Sequence, residues 1–238
     1  MKLLPRAVAA AIVLLTIDPV AAQENGASVA EPSFLTTLGE LVFEGGILMI
    51  PIALASVLTV ALAIERVIAL RRSRVLPAGI WESVQEKLRA DDVLAARKIV
   101  ADEESALERV IHAGLFHWED ELRDVAAAVE DCGLREADDL QRNLPGLQGV
   151  ASVAPLLGLL GTVVGMIQSF LQVAKQNAMG NPELLAEGIG QALVTTAAGL
   201  CVAIPALVLY YWFRGKLRRL VRELDDVNRG LLALHRRG

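Results

Sequence analysis

The chain has 238 residues, 54% of them hydrophobic but only 4% aromatic, and a formal net charge of −5. Its apolar excess is Leu, Ala, Val and Ile in long runs, which argues for membrane spans and against one large soluble core. No clustered positive surface is implied, so nucleic acid is not an expected partner. Cys132 and Cys201 lie in unlike surroundings and suggest neither a disulfide framework nor a metal site.

Residues 1–22 read as a signal peptide. Lys2 and Arg6 form a positive start, Ala7 to Ile17 is an apolar stretch too short to cross a bilayer, and Asp18-Pro19 breaks it. Val20-Ala21-Ala22 then offers small residues for cleavage before Gln23. An uncleaved anchor is the alternative. Residues 23–45 are expected in the periplasm, beginning with a polar, small-residue tail from Gln23 to Pro32.

Three spans follow, at 46–70, 147–174 and 188–213. They contain uncharged runs from Ile47 to Ile64, Val150 to Ile167 and Gly188 to Phe213, of 18, 18 and 26 residues. Each is long enough for a helix across a hydrocarbon core of about 30 Å. Pro51, Pro155 and Pro205 lie inside these runs, which membrane helices tolerate. Arg66, Arg71, Arg72 and Arg74 crowd the end of the first span, and Arg214, Lys216, Arg218, Arg219 and Arg222 the end of the third. Residues 23–46 have no Lys or Arg, and the 175–187 connection has only Lys175. Positive charge stays inside, so the expected topology is N-terminus out and C-terminus in, with 175–187 a periplasmic loop and 214–238 a cytoplasmic C-terminal helix. Glu65 and Arg66 sit at the inner edge of the first span. They read as an interfacial pair snorkelling to headgroups, with an ion site as the other reading.

The cytoplasmic segment, 71–146, reads as a helical domain with no strand signal. Trp81, Val84 and Leu88 recur at helical spacing, Val93, Leu94, Ile99 and Val100 suggest a second short helix, and Ala106 to Trp118 a third. Asp120 to Leu144 looks like one long helix with Leu122, Val125, Ala126, Val129, Leu134 and Leu140 on its buried side. Pro145-Gly146 would then bend the chain at the membrane surface. His112 and His117 are five apart, wrong for two ligands on one helix face. No nucleophile–base pair, phosphate loop or zinc spacing stands out, so an enzyme is not expected.

In the second span Gly158, Gly161 and Gly165 fall on one helix face. In the third, Gly188, Ala192, Thr195, Gly199 and Ala203 make a small-residue stripe. Such faces let helices approach closely. Gln191, Thr195 and Thr196 place polar atoms in a dry segment, where each needs a partner helix, water or an ion path. A threonine hydroxyl bonded to its own helix, four residues back, is the plainer reading. Antiparallel packing would bring Thr162 and Thr196 to a similar depth.

Ala154-Pro155-Leu156-Leu157-Gly158-Leu159-Leu160-Gly161-Thr162-Val163 resembles the second-span signature of the MotA/TolQ/ExbB proton-channel family. Ala192-Leu193-Val194-Thr195-Thr196-Ala197-Ala198-Gly199-Leu200 with Ala203-Ile204-Pro205 resembles its third span. The Glu65-Arg66 ending of span one fits too, and the resemblance is nearest to the ExbB-like branch. It implies a multi-pass protein of the bacterial inner membrane that forms a homo-oligomer, a pentamer in ExbB. The ring surrounds the single spans of an ExbD-like partner that carries a membrane aspartate. It implies no cofactor, a proton as the transported ion with sodium as the alternative, and delivery of motion through a TonB-like protein. The family's pore threonines map onto Thr162 and Thr196. The glycine faces would seal subunits together while the threonines face the partner. A family glutamate position is Gln191 here, which cannot titrate. Glu187 lies one turn earlier on the same face, as a relay group or a solvated loop residue. A TolQ-like envelope-maintenance motor subunit and a non-conducting structural scaffold are the rival readings.

Overall fold

The computed structural model describes residues 46–175 and 182–236. The leader and the periplasmic segment expected over 1–45 lie outside these residues. All regular structure among them is α-helical: α1 (Met49–Ala69), α2 (Arg72–Val75), α3 (Ile80–Arg89), α4 (Val93–Ile99), α5 (Ala106–Phe116), α6 (Leu122–Gln141), α7 (Leu144–Lys175) and α8 (Pro182–His235). Three helical stretches, within Met49–Ala69, Leu122–Ala174 and Gly188–His235, are long and apolar enough to cross a membrane. The chain is thus an all-α protein with three candidate spans. It divides into two units, one holding the described residues up to Val60 together with Gln148–Val208, the other Ala61–Leu147 and the residues from Leu209 on.

The first unit is apolar on its outside. Ile50, Leu54 and Val57 of α1, Leu156, Leu160 and Ile167 of α7, and Leu193 and Ile204 of α8 are exposed. Its buried cluster is made of small side chains, Val150, Ala151, Ala154, Ala203 and Ala206, with Ala55 and Val202 packed against it. This is the composition expected of helices that associate in lipid by close approach. Buried Thr59 donates its hydroxyl to the Ala55 carbonyl at 2.8 Å, so α1 satisfies its own polar atom.

The second unit has a core of large side chains. Val84, Val100, Val110, Ile111, Leu115, Val125 and Val129 come from α3, α5, α6 and the turn after α4. Phe213, Leu217, Leu220, Leu224 and Leu231 of α8 complete it, with Val227 partly buried. The α8 positions recur at four, three, four, three and four residues, the seam of a helix packed along its length. Caps fix the short helices. Ser105 accepts the Glu108 N–H at 3.2 Å while the Glu108 carboxylate accepts the Ser105 N–H at 3.0 Å, a reciprocal cap that starts α5. Asp92 caps α4 by accepting the Ala95 N–H at 2.9 Å.

Two expectations for this unit change. The helix expected over Asp120 to Leu144 stops at Gln141, and α7 begins at Leu144, so the break precedes Pro145 instead of falling on it. Pro145 sits in the first turn of α7, where its missing N–H has no carbonyl to serve. Leu134, expected inside, is 62% exposed, whereas Glu136 is only 8% exposed. Glu136 takes the inner position because Arg109 of α5 grips it with two bonds, 2.6 Å from Nε and 2.7 Å from Nη2. A bidentate pair of this kind offsets the desolvation of the carboxylate, and it raises the Arg109 pKa, the Glu136 hydrogen bond being the first cause. α8 starts at Pro182, inside the stretch expected as the 175–187 connection.

Candidate functional site

The two polar-bearing spans, α7 and α8, meet face to face within the first unit. The contact is antiparallel and built on glycine. A Cβ placed on Gly158 would lie 3.0 Å from the Thr196 Cα and 3.1 Å from the Thr195 carbonyl oxygen. On Gly199 it would lie 2.6 Å from the Ala154 carbonyl oxygen and 3.2 Å from the Gly158 Cα. On Gly165 it would meet the Ala192 Cβ at 2.9 Å. On Gly161 it would overlap the Thr195 side chain, and on Gly188 the Ser169 hydroxyl. At Gly199 the obstacle is backbone closer than a Cβ tolerates, so a side chain there forces the spans apart, and at Gly158 a Cβ would be a tight fit against backbone. The glycine face expected to seal neighbouring subunits is therefore occupied by the chain's own third span.

Close approach decides where each hydroxyl goes. Thr162 donates to the Leu159 carbonyl of its own helix at 2.7 Å. Thr195, 1% exposed, donates to the Gln191 carbonyl four residues back at 3.1 Å. Thr196 does neither. Its hydroxyl crosses to the Gly158 carbonyl of α7 at 2.9 Å, a bond between the two spans. Gly158 has no side chain to keep the hydroxyl away, and its carbonyl has a second lone pair for it. Because Thr195 abuts Gly161, Thr162 and Thr196, each one residue further on, lie within a turn of one level.

The other expected site residues separate. Gln191 is exposed on α8, with its amide nitrogen 3.8 Å from the Cβ position of Gly46. Glu187 falls within α8, but its side chain is outside the described residues. Pro155 and Pro205 lie inside α7 and α8 and are half-buried. At the inner end of span one, Arg66 is 3% exposed. Both Glu65 carboxylate oxygens accept from its guanidinium at 2.6 Å, and it donates to the Leu140 carbonyl at 2.6 Å. This overturns snorkelling for Arg66: it caps the last turn of α6, where carbonyls lack helical partners and a cation is favoured. Ser169 is a site residue that sequence reasoning missed. It is buried against Gly188 and donates to the Gly165 carbonyl at 2.8 Å. The available signal was spacing, since Ala151, Ala154, Gly158, Gly161, Gly165 and Ser169 continue one small-residue face at intervals of three and four.

Chemically, the hairpin offers hydroxyls, an amide and carbonyls. Neither Val150 to Ile167 nor Gly188 to Phe213 contains Asp, Glu, His, Lys or Arg. Neither run holds a carboxylate or an imidazole, so a proton relay through such a group there needs one from elsewhere. Among the described residues no three His, Cys, Asp or Glu groups are placed to hold a metal ion. His112 is paired with Glu103 at 2.9 Å and His117 with Asp120 at 2.7 Å. Cys132 and Cys201 are both free thiols.

Comparison with known proteins bears on the same region. Residues 102–226, which include α7 and most of α8, match the MotA/TolQ/ExbB proton channel family. The biopolymer transport protein exbB1 of Vibrio cholerae is 31% identical over 206 residues, covering 82% of this chain and 88% of the Vibrio protein. An ExbB-like biopolymer transport protein of Synechocystis is 33% identical over 185 residues, covering 75% of this chain and 72% of its own length. The Tol-Pal system protein TolQ of Pseudomonas aeruginosa is 32% identical over 133 residues, covering 50% of this chain and 56% of its own. By motif, span pattern and overall match, this multi-pass membrane protein belongs to the MotA/TolQ/ExbB proton channel family.

Proposed function

We propose that the chain is an ExbB-like subunit of an inner-membrane proton channel that converts proton motive force into motion for TonB-dependent transport. The observation that carries this reading is the Thr196 hydroxyl held at the Gly158 carbonyl between two spans that have no charge of their own. That bond uses the hydroxyl's single proton and leaves its oxygen able to accept another. A protonated carboxyl brought alongside has an acceptor waiting at membrane depth. The carboxyl belongs to a partner with one span and a membrane aspartate, because Gln191 cannot serve.

The remaining roles follow from that placement. Five copies surround the partner's helices, with the N-terminus outside and the arginines after spans one and three inside. The exposed apolar faces of α1, α7 and α8 meet lipid and neighbouring copies. A TonB-like protein carries the motion onward. Moving one proton through 100 mV supplies about 2.3 kcal/mol. The proton is the ion in this reading, sodium its competitor, and no cofactor takes part.

A TolQ-like role in envelope maintenance has its own support. The Tol-Pal system protein TolQ of Haemophilus influenzae is 44% identical over 78 residues, 32% of this chain. Purifying the chain from its native membrane and identifying what remains bound tests both. An ExbD-like partner with a TonB-like protein supports the first reading. Partners of the Tol-Pal type support the second, and a chain with no single-span partner and no proton flux is a scaffold.

A further inference from the structure

The glycine face is only one side of α7. At 100° per residue, Leu156, Leu160 and Ile167 form a second side, apolar and exposed, suited to lipid. Between the two runs a third. Gln148, Ser152, Pro155, Leu159 and Thr162 recur at four, three, four and three residues and therefore share one face. Gln148 and Ser152 are exposed, and Thr162 and Pro155 are half-exposed, so α8 does not cover this face.

Three polar features lie along it. The Ser152 hydroxyl donates to the Gln148 carbonyl at 2.9 Å. The Thr162 hydroxyl donates to the Leu159 carbonyl at 2.7 Å. Between them, Pro155 has no N–H to give the Ala151 carbonyl, so the helix withdraws one of its own donors from this side. In hydrocarbon a backbone acceptor without a donor costs several kcal/mol. Water or a polar partner would satisfy the Ala151 carbonyl, the spare Ser152 lone pairs and the Gln148 amide together. The apolar face next to it has no such need.

We infer that the α7 face bearing Gln148, Ser152, Pro155 and Thr162 is water-lined in the assembled membrane protein and forms the inner half of the ion path, with Ser152 as its polar station between Thr162 and the cytoplasm. This rests on the proton-channel reading and assigns the path below the paired threonines to this chain's own residues. Ser152 acts by holding water, and its hydroxyl does not titrate in the working range.

The test uses thiol chemistry, because a thiolate forms and reacts only where water reaches it. In full-length chain expressed with its native partners, Cys132→Ser and Cys201→Ala remove the background thiols. Ser152→Cys and Leu160→Cys are then exposed, in inverted membrane vesicles, to a charged methanethiosulfonate that cannot cross lipid. Ser152→Cys reacts at least about tenfold faster than Leu160→Cys, and equal rates, or faster reaction at 160, overturn the inference. Proton flux supplies the second readout. Ser152→Val lowers it about tenfold, the equivalent of one lost hydrogen bond, while Ser152→Thr keeps it. Flux unchanged in Ser152→Val removes the serine from the path. Flux in the wild type with no labelling at 152 defeats this inference and leaves the channel reading standing, whereas labelling without wild-type flux defeats the channel reading.

Discussion

Along α8 the inward positions Ala192, Thr195, Gly199, Ala203 and Ala206 recur at intervals of three and four residues, and so do Phe213, Leu217, Leu220, Leu224, Val227 and Leu231. The first set is small and the second is large. The second set continues into a stretch rich in charged residues, and where such a stretch meets water, covering a Leu side chain stabilises by about 1.5–3 kcal/mol. The first set works in lipid, which is as apolar as leucine, so burial yields nothing and association depends on close approach and hydrogen bonds. The same helical period thus serves opposite chemistry. Among the described residues, the side-chain hydroxyl that bonds a carbonyl of a neighbouring helix, that of Thr196, lies in the membrane half.

Substitutions that invert the two rules test this difference. Phe213→Ala empties a fully buried site and lowers the stability of the second unit by about 3–5 kcal/mol. Hydrogen exchange over α3 to α6 checks it, with little change expected between Gly158 and Gly165. Gly158→Leu does the converse. It drives a side chain into the Thr196 backbone and destabilises the hairpin by about 1–3 kcal/mol or more. Gly149→Leu, on a side where a Cβ meets nothing within 4 Å, is the matched control and leaves thermal unfolding in detergent unchanged.

Arg66→Met probes a smaller effect at the inner end of span one. It removes the cap on α6 and costs about 1.5–3 kcal/mol, the range for a hydrogen bond from a charged donor. Faster exchange of the amides near Leu140 is the expected readout. A snorkelling arginine would leave that exchange untouched. The smallest effect on stability is that of Thr196→Val, about 1 kcal/mol for one hydrogen bond.

Spans and short helices were legible because they follow from runs and periods. Long uncharged stretches marked α1, α7 and α8, and the spacing of Trp81, Val84 and Leu88 marked α3. The α7–α8 motifs were equally readable, since glycine at three and four has one physical use. What it packs against was not: a glycine face fits a neighbouring subunit as well as the chain's own next span. The direction of single polar side chains was also hidden. Leu134 and Glu136 exchanged places because Arg109, distant in sequence, binds Glu136. Arg66 turned inward because α6 ends beside it and leaves a carbonyl unfilled. Thr162, Thr195 and Thr196 look alike in sequence, and only the missing side chain at Gly158 sends the third hydroxyl across.

The most direct test of the central claim is proton flux through the complex of this chain with its single-span partner, reconstituted in vesicles, comparing wild type, Thr196→Ser and Thr196→Val. The account predicts that Ser, which keeps the hydroxyl, conducts like wild type. Val, which matches the shape of threonine without the hydroxyl, is expected to assemble normally and abolish the flux. Undiminished flux in an assembled Thr196→Val complex would contradict the role assigned to that hydroxyl.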